Sequence, residues 1–175
     1  MGANISNHGG EKKILIVGLP GCGKTSIMKQ LKLDPVASEQ QDYQVLKARK
    51  ASFGKLEFTI FNLDENQQDV WPHLYSNNFA LIFVVDATSS EEGLDKASSL
   101  LHQMVHHTKL SHSNVLIYAN KMDHPNAGAP SFLSEKLRIN SIQQHHLFQP
   151  CTAMTDGAGI ATGLEWLTER MKAKQ

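Results

Sequence analysis

The sequence predicts an α/β fold, a six-stranded, mostly parallel sheet flanked by helices on both faces. Three observations carry that expectation. Short apolar runs of strand type alternate along the chain with segments of helical periodicity. One run, Ala80-Leu81-Ile82-Phe83-Val84-Val85, is apolar without a break, as a central strand covered on both faces must be. A glycine-rich octet, Gly18 to Thr25, stands between the first strand and the first helix, and sheets of this kind take ligands at the carboxyl ends of their strands.

The elements follow in order. Ile14-Leu15-Ile16-Val17 reads as a buried strand, and Thr25 to Leu31 opens a helix. Tyr43 to Lys50 and Lys55 to Asn62 flank Ser52-Phe53-Gly54 and read as an antiparallel hairpin. In its second arm Leu56, Phe58 and Ile60 alternate with Glu57, Thr59 and Phe61, so that one face points inward. After the central run, Leu94, Ala97, Leu101, Met104 and Val105 recur at helical spacing between Glu91 and His107. Val115 to Tyr118 is a further buried strand. Pro130 and Ser131 start a short helix ending near Arg138. Leu147 and Phe148 sit in the last strand, and Ile160, Leu164, Leu167 and Met171 mark a closing amphipathic helix.

Composition bounds the function. The chain has 175 residues, 41% of them apolar and 19% charged, with a formal net charge of zero. That length suits one domain with a sizeable core. No charge block points to nucleic acid, and no apolar run is long enough to span a bilayer. The two cysteines, Cys22 and Cys151, are far apart and form no disulfide framework, which fits a reducing, cytoplasmic setting. Residues 1–11 read as a polar tail and 12–175 as the folded domain. The tail begins Met1-Gly2-Ala3-Asn4-Ile5-Ser6, the N-myristoylation pattern on Gly2. A single acyl chain gives marginal membrane binding, to which Lys12 and Lys13 add on anionic lipid. A disordered tail that merely starts Met-Gly is the competing reading.

The octet Gly18-Leu19-Pro20-Gly21-Cys22-Gly23-Lys24-Thr25 matches G-x-x-x-x-G-K-[ST], the phosphate-cradling P-loop. Its glycines permit a tight turn in which backbone N–H groups converge on phosphate oxygens at the positive end of a helix. Lys24 supplies a charge to the β/γ-phosphates, Thr25 a hydroxyl to Mg2+, and Ser26 follows as a further nucleotide-binding candidate. A ligand-free glycine-rich turn has no reason to coincide with both flanking elements. Downstream, Asn120-Lys121-Met122-Asp123 follows a strand, where ligands are expected. The Asp123 carboxylate suits guanine, accepting from both the ring N1–H and the exocyclic amine, a donor pair adenine lacks. Asn120 and the stem of Lys121 then brace the loop and cover the base.

On these residues the chain resembles the small GTPases, whose guanine-reading motif is N-K-x-D, and among them the Arf and Arf-like branch. Phe83-Val84-Val85-Asp86, Gly163-Leu164-Glu165-Trp166-Leu167 and the run Asn120 to Ala127 are similar to that branch's signatures, and Gly2 sits where it is myristoylated. The similarity runs from about Lys12 to Lys172. The resemblance implies a P-loop small GTPase domain holding GTP or GDP with Mg2+. It also implies a third base loop at Cys151-Thr152-Ala153-Met154, in which Thr152 and Ala153 approach the guanine and the Ala153 N–H meets its carbonyl. Partners implied are protein effectors or regulators, with peripheral membrane contact through Gly2 and a monomeric chain.

The chain departs from the family on both switch elements. The family's Asp-x-x-Gly-Gln is replaced by Asn62-Leu63-Asp64-Glu65-Asn66-Gln67. Asn62 removes a charge near Mg2+, Glu65 brings a carboxylate toward the γ-phosphate, and Asn66 stands where Gln orients water. Gln67 is the one catalytic candidate, by a one-residue slip. Between Glu39 and Lys50 there is no Ser, Thr or Gly to match the family's Mg2+-binding Thr, and Asp42 stands nearest that place. Trp71, Pro72 and Tyr75 read equally as effector contacts or core. His102 and His106, one helical turn apart, read as a solvated face because nothing completes a metal set. The expectation is a nucleotide-binding switch or scaffold of membrane traffic with weak or absent hydrolysis. A slow GTPase using Gln67 or a partner's residue is the alternative. A P-loop kinase ranks last, since only Arg49, Arg138 and Arg170 are available for a lid.

Overall fold

The computed structural model describes residues 12–31, 47–53, 56–62, 66, 68–69, 71–75 and 79–172. Along them run β1 (Lys12–Val17), α1 (Lys24–Gln30), β2 (Lys47–Phe53), β3 (Leu56–Asn62), α2 (Trp71–Leu74) and β4 (Phe79–Asp86). Then come α3 (Glu91–Val105), β5 (Val115–Asn120), α4 (Pro130–Lys136), β6 (His146–Pro150) and α5 (Ile160–Lys172), with short 3₁₀ turns at Thr108–Leu110 and Ile139–Ser141. The strands form one six-stranded sheet in the order β2-β3-β1-β4-β5-β6. Only the β2–β3 hairpin is antiparallel. The part of the expected first arm before Lys47 lies outside the described residues.

Alternation along the strands explains the unbroken apolar runs. Leu15 and Val17 of β1, with Leu81, Phe83 and Val85 of β4, face one layer and pack with Leu94, Leu101 and Met104 of α3 and Leu133 of α4. Their neighbours Ile14, Ile16, Ile82 and Val84 face the other layer, against Ile27 and Met28 of α1 and Leu164 and Leu167 of α5. Both faces are therefore covered, and a polar residue on either side of these strands would be stranded without water. Trp71 and Tyr75 are buried in the first layer, which settles them as core rather than exposed contacts.

α5 lies unusually close to β5. A Cβ on Gly163 would stand 2.7 Å from the Tyr118 ring, and the Tyr118 hydroxyl donates to the Ile160 carbonyl at 2.7 Å. α3 starts on Ser90, whose hydroxyl accepts from the Gly93 N–H, and carries Glu91 and Glu92 in its first turn, where they oppose the helix dipole. These contacts fix the strand ends that build the site. From β1 the chain passes to β3 on one side and returns to β4 on the other, so the carboxyl end of β1 is a topological switch point.

Candidate functional site

The loop after β1 is shaped by its glycines. A Cβ on Gly18 would collide with the Val84 carbonyl at 2.3 Å and the Cys22 sulfur at 2.7 Å. Gly21 and Gly23 sit at φ 75° and 98°, in the left-handed region. The turn is closed by the Cys22 N–H donating to the Leu19 carbonyl, and Gly23 serves as N-cap of α1. Lys24 folds back across it, its ammonium donating to the Gly18 carbonyl at 2.6 Å and the Leu19 carbonyl at 3.4 Å. Pro20 and Gly21 are exposed at the tip, and Thr25 is exposed at the start of α1. Cys22 is buried under the loop. Burial pushes its thiol up, with the Lys24 ammonium opposing.

Asn120, at the end of β5, is fully buried and joins three loops. Its Nδ2 donates to the Cys22 carbonyl at 3.0 Å. Its Oδ1 accepts from the Ala153 N–H at 3.0 Å and, at 3.6 Å, from the Cys151 thiol. A Cβ on Gly23 would lie 2.1 Å from Asn120 Nδ2, so the glycine is required for this approach. The third loop is tied down as well. Thr152 accepts from the N–H groups of Thr155 and Gly157 at its carbonyl and of Ala158 at its hydroxyl, and its hydroxyl bonds Asp156. Gln30, at the end of α1, donates to the Ala153 carbonyl at 3.1 Å. Asp123 is exposed beyond this brace.

These loops present the Lys24 ammonium, the Thr25 hydroxyl and the exposed Asp123 carboxylate at one end of the sheet, the kinds of group a nucleoside polyphosphate calls for. The model of the ADP-ribosylation factor family matches residues 2–171. The chain belongs to the ADP-ribosylation factor family. A solved structure, that of the Arl6 BBS3 small GTPase from Trypanosoma brucei with the bound nucleotide analogue GppNp, has the same fold. It matches with TM-score 0.80 and 24% identity over 95% of this chain and 100% of that one. Arf-family membership makes this chain a small GTPase of the GTP-binding type.

As an Arf-family chain it brings together Gly18, Leu19, Gly21, Cys22, Gly23, Lys24, Asn120, Lys121, Thr152 and Ala153 at one end of the sheet. The contacts differ from expectation in one respect. The Ala153 N–H is engaged by Asn120 Oδ1, because a buried amide oxygen must be satisfied and this donor is at hand. Ala153 therefore acts here by bracing Asn120. Two contributors were given no site role from the sequence. Asp86, at the end of β4, pairs with Lys121 at 2.6 Å, and Gln30 holds the third loop. The strand-end rule would have found Asp86, since β4 is the central strand. Burial pushes the Asp86 carboxyl up, but hydrogen bonds from Lys121 and Thr88 outweigh it and hold it below the ordinary carboxylate value.

Other Arf-family positions fall elsewhere. Gly2, Asp42, Glu65 and Gln67 lie outside the described residues, and Asn66 is exposed. His102 is not on a solvated face: it is buried, with Nε2 3.0 Å from the Leu137 carbonyl, because α3 packs against the end of α4 there. Among the described residues no group of His, Cys, Asp or Glu is placed to hold a metal ion.

Proposed function

We propose that this chain holds GTP or GDP with Mg2+ and works as an Arf-like switch or scaffold in membrane and vesicle traffic, with GTP hydrolysis weak or absent. The observation that carries the nucleotide part is the Asn120 brace, which locks the phosphate loop to both base loops through a single buried amide. The residues suit the ligand. The absence of side chains at Gly18 and Gly23 lets the loop close tightly against Val84, Cys22 and Asn120, Lys24 reaches over the loop, and Asp123 faces solvent to receive the guanine donors. Mg2+ would be held by the Thr25 hydroxyl together with phosphate oxygens, since this ion commonly takes few protein ligands. It would neutralise phosphate charge.

Weak hydrolysis rests on Asn62, Glu65 and Asn66 standing where the family carries the Asp, Gly and Gln that sense the γ-phosphate and place water. Gly2 within M-G-x-x-x-[ST] supports a lipid anchor and a peripheral, cytoplasmic-face location. No helix among the described residues is long and apolar enough to cross a membrane. A monomer that meets effectors and regulators through its switch-side surface is the form this reading gives.

The test is the nucleotide carried by the purified protein. Denaturation should release GDP or GTP, and chelating Mg2+ should speed release. An empty protein that takes up neither fluorescent GDP nor GTP refutes the reading. Single-turnover GTP cleavage should be no faster in the wild type than in Gln67→Ala. A measurable rate lost on that change establishes the slow GTPase instead.

A further inference from the structure

The construction of the Asp86–Lys121 pair is not that of an ordinary surface ion pair. Lys121 Nζ lies 2.6 Å from Asp86 Oδ2, and the two side chains are only 30% and 19% exposed. The other carboxylate oxygen is held separately. Asp86 Oδ1 accepts from the Thr88 N–H at 2.8 Å and from its hydroxyl at 2.6 Å, so the carboxylate is fixed on both sides. Its backbone is fixed too, because Asp86 is in register with Asn120, the Ala87 N–H donates to the Asn120 carbonyl, and the Gly128 N–H donates to the Ala87 carbonyl. Lys121 itself takes φ 67°, a conformation a lysine adopts seldom and only where its surroundings impose it.

Exposed ion pairs restrain little because both chains keep moving. Here the carboxylate is held by Thr88 independently of the lysine. The ammonium is thereby kept away from Asp123, two residues along the same turn and the one carboxylate in N-K-x-D. A lysine released from Asp86 would have Asp123 as its nearest opposite charge by sequence. Pairing there would occupy the oxygens that guanine needs.

We propose that Asp86 is the positioning residue of the base site: by anchoring the Lys121 ammonium it holds the lysine stem as one wall of the guanine slot and leaves Asp123 free to read the base. This rests on the guanine-nucleotide reading above. The low-lying acidity of Asp86 keeps the anchor charged at neutral pH.

Asp86→Asn keeps an oxygen for Thr88 and removes the charge. Lys121→Met keeps a stem of similar length and removes the ammonium. Each is compared with wild type by fluorescent GDP and IDP dissociation, IDP lacking the exocyclic amine. Asp86→Asn should speed GDP release by about tenfold or more, the scale of one charge-assisted hydrogen bond, and should lower the GDP-over-IDP preference. Lys121→Met should also speed release but keep the preference, having no ammonium to take Asp123. Adding Asp86→Asn to Lys121→Met should change nothing further. Thermal melts confirm that the variants fold. If Asp86→Asn does not fold, a lost preference in Lys121→Met, or unchanged release there, overturns the inference by itself. Unaltered release and preference in a folded Asp86→Asn, or an equal effect in the Lys121→Met background, overturns it while wild-type binding leaves the function reading intact. A wild type that binds neither nucleotide removes both.

Discussion

Gly23 and Asn120 show how a single position in the loop controls the site. At Gly23 an alanine meets two obstacles, a φ of 98° and the Asn120 amide 2.1 Å from its Cβ. The first costs roughly 1–3 kcal/mol by itself. The second pushes Asn120 off both of its partners, so Gly23→Ala should lower the melting temperature and weaken GDP binding by more than about tenfold. Isothermal titration and a thermal scan check it. Asn120→Ala leaves the Cys22 carbonyl and the Ala153 N–H without their partner, at about 1–3 kcal/mol for each orphaned buried group. Urea unfolding of the nucleotide-free protein should show that loss. Lys24→Ala should behave differently, since its side chain is partly exposed and bonds only within its own loop, to the Gly18 and Leu19 carbonyls and the Cys22 sulfur. It should abolish GDP binding while shifting nucleotide-free stability little. Sequence reading reached Asn120, Lys24 and Asp123 because each lies in a contiguous motif. It gave Asp86 and Gln30 no site role because their partners lie 35 and 123 residues away, a juxtaposition only the fold creates.

At the scale of elements, hydrophobic periodicity was enough to place the strands, the hairpin and the long helices, with ends displaced by a few residues. The central run extends to Phe79–Asp86 and the strand before N-K-x-D to Asn120, because ladder pairing with β4 continues through Asn120 once both faces are covered. What periodicity did not reveal was which helical histidine is buried. His102 shares the inward face of α3 with Leu101 and Val105, and its ring finds the Leu137 carbonyl only because α4 ends beside it. The seam between α5 and β5 gives a sharper test. Gly163→Ala places a methyl 2.7 Å from the Tyr118 ring and should cost about 1–3 kcal/mol by overpacking. Tyr118→Phe loses its bond to the Ile160 carbonyl, about 1 kcal/mol. The hydroxyl oxygen is itself one of the atoms 2.7 Å from the added methyl, so the double variant should lose less than the two single losses combined. Urea midpoints of the four proteins decide it, and full additivity would show that the seam yields by moving α5 instead.

For the whole molecule, the two-layer core sets how stability depends on pH. The family fold was legible because motif order and strand order agree, whereas the fate of individual ionisable groups depends on burial that no motif reports. Burial pushes the Cys151 thiol from an ordinary 9.0 up to about 12, with the Ala153 N–H opposing and the Asp123 charge adding. Burial likewise pushes Tyr75 from 10.0 up to about 12, and Tyr118 upward as well. In each case the folded chain keeps the proton longer than the unfolded chain does. Stability from these groups is therefore complete below about pH 9 and falls as pH rises toward 12, the unfolded state binding fewer protons throughout that window. Each group adds a slope of up to about 1.4 kcal/mol per pH unit while it is ionised only in the unfolded chain. Denaturant unfolding between pH 8 and 11 should show the decline. Cys151→Ala should remove the part that begins near pH 9, and Tyr75→Phe the part that begins near pH 10, each flattening the curve by one proton's worth. Equal slopes in wild type and both variants would mean that these groups ionise as freely in the folded chain as in the unfolded one. On the acid side the sign reverses. Asp86 is held below its ordinary value, so its contribution is present at neutral pH and disappears as pH falls through its folded value. A protein with this core should thus be most stable in the neutral range, with the Asp86–Lys121 anchor keeping its charge until the pH falls below the ordinary carboxylate value.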